Sequence, residues 1–266
     1  MPSTLPASGD APSPQYPEGV LTALGDGSLF GESFGEGPVR VVWLHGWARR
    51  GEDFAGAARL LAARGVASLA LDLPGFGASP APARAGGARY YAEIVAPALD
   101  ELEENVVLVG HSFGGTVATV LAARAPARYH ALVLTGAPVL RAGSGRAPWR
   151  YRLVRAAARY HLVSPARLES ARQRYGSLDY RRASGIMRDV LVATVNESFE
   201  SELAHLAVPT NLLWGELDSE VALAIAQRAR EIVTAPTTLR VLTGVGHLVP
   251  TQAPEALADA VYEALA

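Results

Sequence analysis

The chain has 266 residues, 49% of them hydrophobic and 19% charged, with a net charge of −2. Those values fit one large α/β domain with a substantial core and argue against a general nucleic-acid binder. Cysteine is absent, which excludes disulfides, thiolate metal ligands and a cysteine nucleophile, and all 24 basic residues are arginine, which excludes lysine Schiff-base chemistry and a P-loop lysine.

Residues 1–18 hold prolines at 2, 6, 12, 14 and 17 and lack the basic and apolar segments of a secretion signal; they read as a flexible leader. No apolar run is long enough to span a membrane, and the cytoplasm is the expected location. Residues 20–24 and 29–34 read as two short strands joined by Gly25-Asp26-Gly27. Residues 39–44 form the next expected strand, ending in His45-Gly46-Trp47. Helical spacing follows over 53–64 (Phe54, Ala57, Ala58, Leu61) and stops at Gly65. A strand at 66–71 runs into Asp72-Leu73-Pro74-Gly75-Phe76-Gly77-Ala78-Ser79, and 90–104 reads as a helix interrupted by Pro97.

Four consecutive apolar residues, 106–109, then predict a strand buried on both faces. Gly110-His111-Ser112-Phe113-Gly114 comes next, with a helix to about 125, and 129–135 is the following strand. The strand–helix rhythm breaks at 138–204. This span shows no clear strand, carries 12 of the 24 arginines and reads as a helical insertion. The rhythm resumes with a strand at 208–214, a helix at 219–232, a strand at 238–242 and a helix at 254–265. Such alternation predicts a mainly parallel, doubly wound sheet, built from 19–137 and 205–266.

Chemistry in such sheets collects at the carboxyl ends of the strands. His45-Gly46, Asp72, Ser112, Asp218 and His247 all fall there. A serine between two glycines on a strand-to-helix corner is held in a strained conformation with its hydroxyl exposed. Side chains at Gly110 and Gly114 would collide with the neighbouring strand and helix. Its hydroxyl needs a base, and the base needs an orienting acid. Of six histidines, only His247 follows the final strand, in Gly244-Val245-Gly246-His247. Asp218 closes Trp214-Gly215-Glu216-Leu217-Asp218 and is the candidate acid. Glu216 is the alternative, and Asp218 could instead cap the helix expected from 219. The backbone N–H groups of Trp47 and Phe113 are candidate oxyanion donors. His45 and His111 read as structural, and Asp72 as fixing its turn through loop N–H groups.

The segments LHGW (44–47), DLPGFGAS (72–79), GHSFGG (110–115), WGELD (214–218) and GVGHLVP (244–250) together resemble the α/β-hydrolase fold superfamily, in its lidded members with a serine nucleophile. The resemblance covers about residues 20–137 and 205–266. It implies an eight-stranded sheet with an antiparallel second strand and a helical cap at 138–204. It also implies Ser112, Asp218 and His247 as triad, with Trp47 and Phe113 lining the oxyanion hole. Ser112 disfavours the aspartate-nucleophile members, the dehalogenases and epoxide hydrolases.

The expected activity is hydrolysis of a carboxylic ester of a small to medium apolar acyl substrate through an acyl-enzyme. A C–C hydrolase, lactonase, thioesterase or cofactor-free perhydrolase using the same triad stays open, as does a non-catalytic binding protein on the same fold. Substrate choice is expected to sit in the cap. There Arg141, Arg146, Arg150, Arg152, Arg155 and Arg159 either clamp an acidic group or form an exposed face. Trp149, Tyr151, Tyr160, Met187 and Phe199 either line an apolar pocket or pack inside the cap. No cofactor or metal is expected, because Gly75 and Gly77 lie in a turn loop and no acidic or histidine cluster has ligand spacing. A small molecule is the expected partner; neither nucleic acid nor membrane is, and oligomeric state leaves no trace in the sequence.

Overall fold

The computed structural model describes residues 19–102, 105–141, 164, 166 and 178–266. Residues 1–18, expected as a flexible leader, lie outside the described residues, as do Arg146 to Arg159, Trp149, Tyr151 and Tyr160 of the expected insertion. Among the described residues there are eight strands: β1 (Val20–Leu24), β2 (Leu29–Phe34), β3 (Val39–Leu44), β4 (Ala67–Asp72), β5 (Val106–His111), β6 (Tyr129–Thr135), β7 (Thr210–Gly215) and β8 (Thr237–Leu242). They form one sheet in the order β1-β2-β4-β3-β5-β6-β7-β8. β2 pairs antiparallel with β1 and β4, and every other pairing is parallel. The sheet is therefore mostly parallel, with only its second strand reversed.

The apolar runs of the central strands serve two cores at once. In β5, Val106 and Leu108 join a cluster with α2 (Ala88–Leu99), α3 (Phe113–Arg124) and α7 (Leu223–Ile232), while Val107 and Val109 join another beneath α1 (Ala55–Ala62) and α9 (Pro254–Glu263). Side chains alternate across a strand, so a strand covered on both faces needs an apolar residue at every position. Each of these four is 1% exposed or less. Full burial of one such side chain contributes roughly 1.5–3 kcal/mol.

Three helices depart from their sequence-based expectations. The segment starting at 53 opens as a 3₁₀ turn, Gly51–Phe54, before α1 begins. Asp72 pins that turn by accepting the Gly51 N–H at 2.8 Å. Pro97 does not interrupt α2, which passes through it and ends at Leu99 rather than 104. A proline removes one hydrogen bond and crowds the carbonyl four residues earlier; here the missing N–H falls in the closing turn, where little helix remains to be broken. The helix expected from 219 begins at Leu223, because residues 218–221 are folded around the Asp218 carboxylate instead. A further short helix, α8 (Val249–Gln252), links the His247 loop to α9.

Between β6 and β7 the described residues include α4 (Leu178–Arg182), α5 (Gly185–Thr194) and α6 (Glu200–Ala204), and no strand. Val190, Phe199 and Leu203 are buried in the same cluster as α2 and α3. Of the two roles left open for Phe199, pocket or packing, its burial in this cluster fits packing. Arg141 is exposed and donates to the Asn196 carbonyl. Among the described residues no helix is long and apolar enough to cross a membrane.

Candidate active site

β5 meets α3 at Ser112, whose backbone stands at φ +50°, ψ −116°. A positive φ costs a non-glycine residue roughly 1–2 kcal/mol, and the neighbours hold it there. The Ser112 N–H donates to the Thr135 carbonyl at 2.9 Å, while its own carbonyl accepts the N–H of Gly115 at 3.0 Å. The two flanking glycines are required by space: a β-carbon at Gly110 would lie 2.5 Å from the Gly115 Cα, and one at Gly114 would overlap the Leu44 carbonyl.

His247 and Asp218 form a buried pair. The imidazole Nδ1 lies 2.9 Å from Asp218 Oδ2, with side-chain exposures of 8% and 1%. The other carboxylate oxygen, Oδ1, accepts the N–H groups of Val221 at 2.8 Å and Glu220 at 2.9 Å. Burial works against ionisation of Asp218. The bonds from His247, Val221 and Glu220 outweigh it and hold the carboxyl below its usual range. With both carboxylate oxygens engaged, Nδ1 carries the imidazole proton and Nε2 is left as the acceptor. Glu216 does something else, accepting the Gly244 N–H at 3.1 Å and steadying the start of the His247 loop. Gln252 of α8 steadies its end by accepting the Gly246 N–H at 2.8 Å.

The loop after β3 is built around His45. Its Nδ1 donates to the Gly46 carbonyl at 2.7 Å, and its Nε2 accepts the Leu73 N–H at 2.9 Å. Burial holds the ring neutral by lowering its pKa, in keeping with one nitrogen donating and the other accepting. The His45 carbonyl in turn accepts the Gly114 N–H at 3.0 Å, tying this loop to the first turn of α3. The N–H groups of Trp47 and Phe113 have no acceptor among the described residues, and the two rings meet edge-on at 5.8 Å. Phe76 packs on Trp47 at 5.1 Å and Tyr91 on Phe113 at 4.9 Å, which completes an aromatic arc beside the serine. Met187 of α5 approaches the same arc, its sulfur 3.9 Å from the Tyr91 hydroxyl. Asp72 accepts the N–H groups of Gly51 and Ala78, each at 2.8 Å.

The structure brings five of these groups to one edge of the sheet, but not every pair touches. His247 lies against His111, the residue before the serine, with ring centroids 4.8 Å apart. Among the described residues, no hydrogen bond joins the Ser112 hydroxyl to His247. Instead, His247 Nε2 stands 3.6 Å from Glu220 Oε2. His111 is buried, and its Nδ1 contacts Thr135 O and Oγ1 at 3.2 Å each. Burial first, and His247 second, push its pKa down to about 3, so it is neutral.

Three contributors escape sequence reasoning: Thr135, Gly136 and Glu220. Gly136 signals only as a glycine directly after a strand, and Glu220 carries no signal at all. Among the described residues no group of three or more histidine, aspartate or glutamate side chains could hold a metal ion.

A doubly wound sheet with a strained serine at its central corner and a histidine–aspartate pair at the same edge defines a class of α/β protein. The sequence profile described as the Alpha/beta hydrolase family matches residues 41–260. The chain therefore belongs to the alpha/beta hydrolase family. It is 43% identical over 108 residues to a pimeloyl-[acyl-carrier protein] methyl ester esterase of Chromobacterium violaceum, a match covering 40% of each chain. The counterpart from Aeromonas hydrophila is 43% identical over 106 residues, 38% of this chain and 39% of that one. The matches thus span about 40% of the length of these curated relatives. Among solved structures, an esterase from Exiguobacterium antarcticum superposes with a TM-score of 0.71 at 22% identity, over 93% of this chain and 99% of that one.

Proposed function

We propose that the protein hydrolyses carboxylic esters of small to medium apolar acyl groups through an acyl-enzyme formed on Ser112. The observation that carries this reading is the buried Asp218–His247 pair, 2.9 Å apart, at the edge where Ser112 is held at positive φ. Asp218 keeps the proton on Nδ1, so Nε2 is the atom able to take the serine proton. The Ser112 hydroxyl makes no hydrogen bond among the described residues and is free to turn about its one side-chain torsion. Catalytic hydrogen bonds often close only in the substrate complex.

In this reading Ser112 Oγ attacks the ester carbonyl as His247 Nε2 takes its proton, and the imidazolium then protonates the departing alkoxide. Water, deprotonated by the same nitrogen, hydrolyses the acyl-enzyme. The N–H groups of Trp47 and Phe113 would receive the oxyanion, and removal of one such donor typically costs about 10²–10³ in kcat. The arc of Phe76, Trp47, Phe113 and Tyr91 supports an apolar acyl group. The names of the partial relatives make methyl esters the first substrates to try. We assign residues 138–204 the role of a cap over this site; the contact of Met187 with Tyr91 supports it.

Turnover of p-nitrophenyl esters of short acids, with methyl esters alongside, tests the proposal. Wild type is expected to turn them over and Ser112→Ala to lose that activity. Undiminished turnover in the variant would overturn it.

A further inference from the structure

Asp218 occupies one nitrogen of His247, and the other nitrogen has a neighbour that the triad does not use. Glu220 Oε2 stands 3.6 Å from Nε2, on a side chain that is 66% exposed. Its backbone is fixed: the Glu220 N–H and the Val221 N–H both donate to Asp218 Oδ1. The same carboxylate that orients the imidazole therefore also aims Glu220 at its far edge. Among the described residues, the other titratable groups facing the ring are His111, which is neutral, and Asp218 itself. Arg49, on the loop after β3, is held in a two-point contact with Asp53.

From this geometry we propose that Glu220 is a positioning residue that competes with Ser112 for the Nε2 edge of His247 and sets how early the serine is silenced on acidification. The inference rests on the triad reading above. Its physical basis is the difference between two states. A neutral imidazole turns a bare lone pair toward the Glu220 carboxylate and gains nothing from it, so Nε2 remains available to the serine. A protonated imidazole turns an N–H toward the same carboxylate and forms an ion pair, which retains the proton and keeps the ring from Ser112. Glu220 thus acts only when the site is protonated, and the plateau at higher pH is unaffected. Because the carboxylate is largely exposed, solvent weakens the attraction. Two unit charges about 4 Å apart in water interact by about a fivefold factor in an equilibrium, and solvent exposure places the expected displacement at about half a pH unit.

The test is the rate at which a fluorophosphonate probe labels Ser112 as a function of pH, measured on wild type, Glu220→Gln and, as a control for general charge, Glu231→Gln on α7. Glu220→Gln is expected to shift the acid limb about half a unit lower. It should label about threefold faster than wild type on that limb and equally fast on the plateau. Glu231→Gln should follow wild type. High salt should move the wild-type limb toward that of Glu220→Gln and leave the latter where it is. Coincident limbs for wild type and Glu220→Gln overturn the inference while leaving the triad reading intact. An equal shift in Glu231→Gln overturns it too, by tracing the effect to the overall field. If wild-type Ser112 is not labelled at any pH, the triad reading itself falls and takes the inference with it.

Discussion

Gly136 and His247 are in contact at the edge of the sheet. Gly136 sits at φ +56°, and a β-carbon there would stand 2.8 Å from the imidazole Cε1 and 2.9 Å from Nδ1. The imidazole can lie where it does only because the residue after β6 has no side chain. Gly136→Ala should displace the ring from Asp218 and also strain the backbone, costing roughly 1–2 kcal/mol of stability. The loss of kcat/KM on a p-nitrophenyl ester should exceed tenfold, more than partial unfolding at assay temperature explains. Denaturant midpoints measured beside the kinetics separate the two effects.

Ser112 pays for its exposure with backbone strain. Ser112→Gly should remove the hydroxyl and relax the positive φ together. The gain is offset in part by the greater freedom of glycine in the unfolded chain. The expected result is an inactive protein whose Tm is up to about 2–3 °C higher than wild type, read by calorimetry. A lower Tm would contradict the account of the corner.

Asp218→Asn preserves the shape of the acid and can keep the N–H bonds of Glu220 and Val221 on its oxygen, but it no longer fixes the imidazole tautomer. By analogy with triads in general, kcat should fall by about 10³–10⁴ with the fold intact. The wild-type carboxyl titrates below its ordinary value of 3.8. The stability it contributes is therefore fully present above that value and is lost as the pH falls through the lower folded one. Acid unfolding followed by circular dichroism should show a shallower pH dependence for Asp218→Asn in that window.

His111 adds a pH dependence of the same sign at higher pH. Its folded pKa is depressed from 6.5 to about 3, so the unfolded chain takes up a proton that the folded chain refuses. Stability is present above pH 6.5 and declines as the pH drops toward 3, by about 1.4 kcal/mol per pH unit for this one group. Urea midpoints across that range should fall less steeply in His111→Gln. Parallel slopes would refute the burial argument.

Arg89 on α2 ties that helix to the segment around α6. It contacts both Glu202 oxygens at 2.6 and 2.9 Å and the Ser198 carbonyl at 2.9 Å. The Glu202 contact raises its pKa further, so it stays charged. With 37% of the side chain exposed, solvent limits its value. Arg89→Ala should cost about 1 kcal/mol, and high salt should narrow its Tm difference from wild type.

The elements were legible where burial is two-sided. Val106 to Val109 and Val41 to Leu44 read as strands because both faces demand apolar residues, and the glycines around Ser112 read as a corner because no other residue fits there. Helix ends were less legible. Residues 218–221 look like the start of a helix, yet the N–H groups of Glu220 and Val221 are taken by the Asp218 carboxylate, so the helix waits until Leu223. Pro97 looks like a break but falls where the helix is already ending.

The reversed second strand of the sheet was implied only by the resemblance to a known fold; by itself the sequence determined the alternation of strands and helices and the positions of Ser112, the two candidate acids and His247 at the strand ends. These follow from side-chain periodicity and from backbone conformations that few residues tolerate, and both are local properties. Only the tertiary structure decided that Asp218 rather than Glu216 meets the imidazole, that Gly136 makes room for it and that Glu220 faces its free nitrogen. Those outcomes depend on distances between chain segments that no local preference encodes.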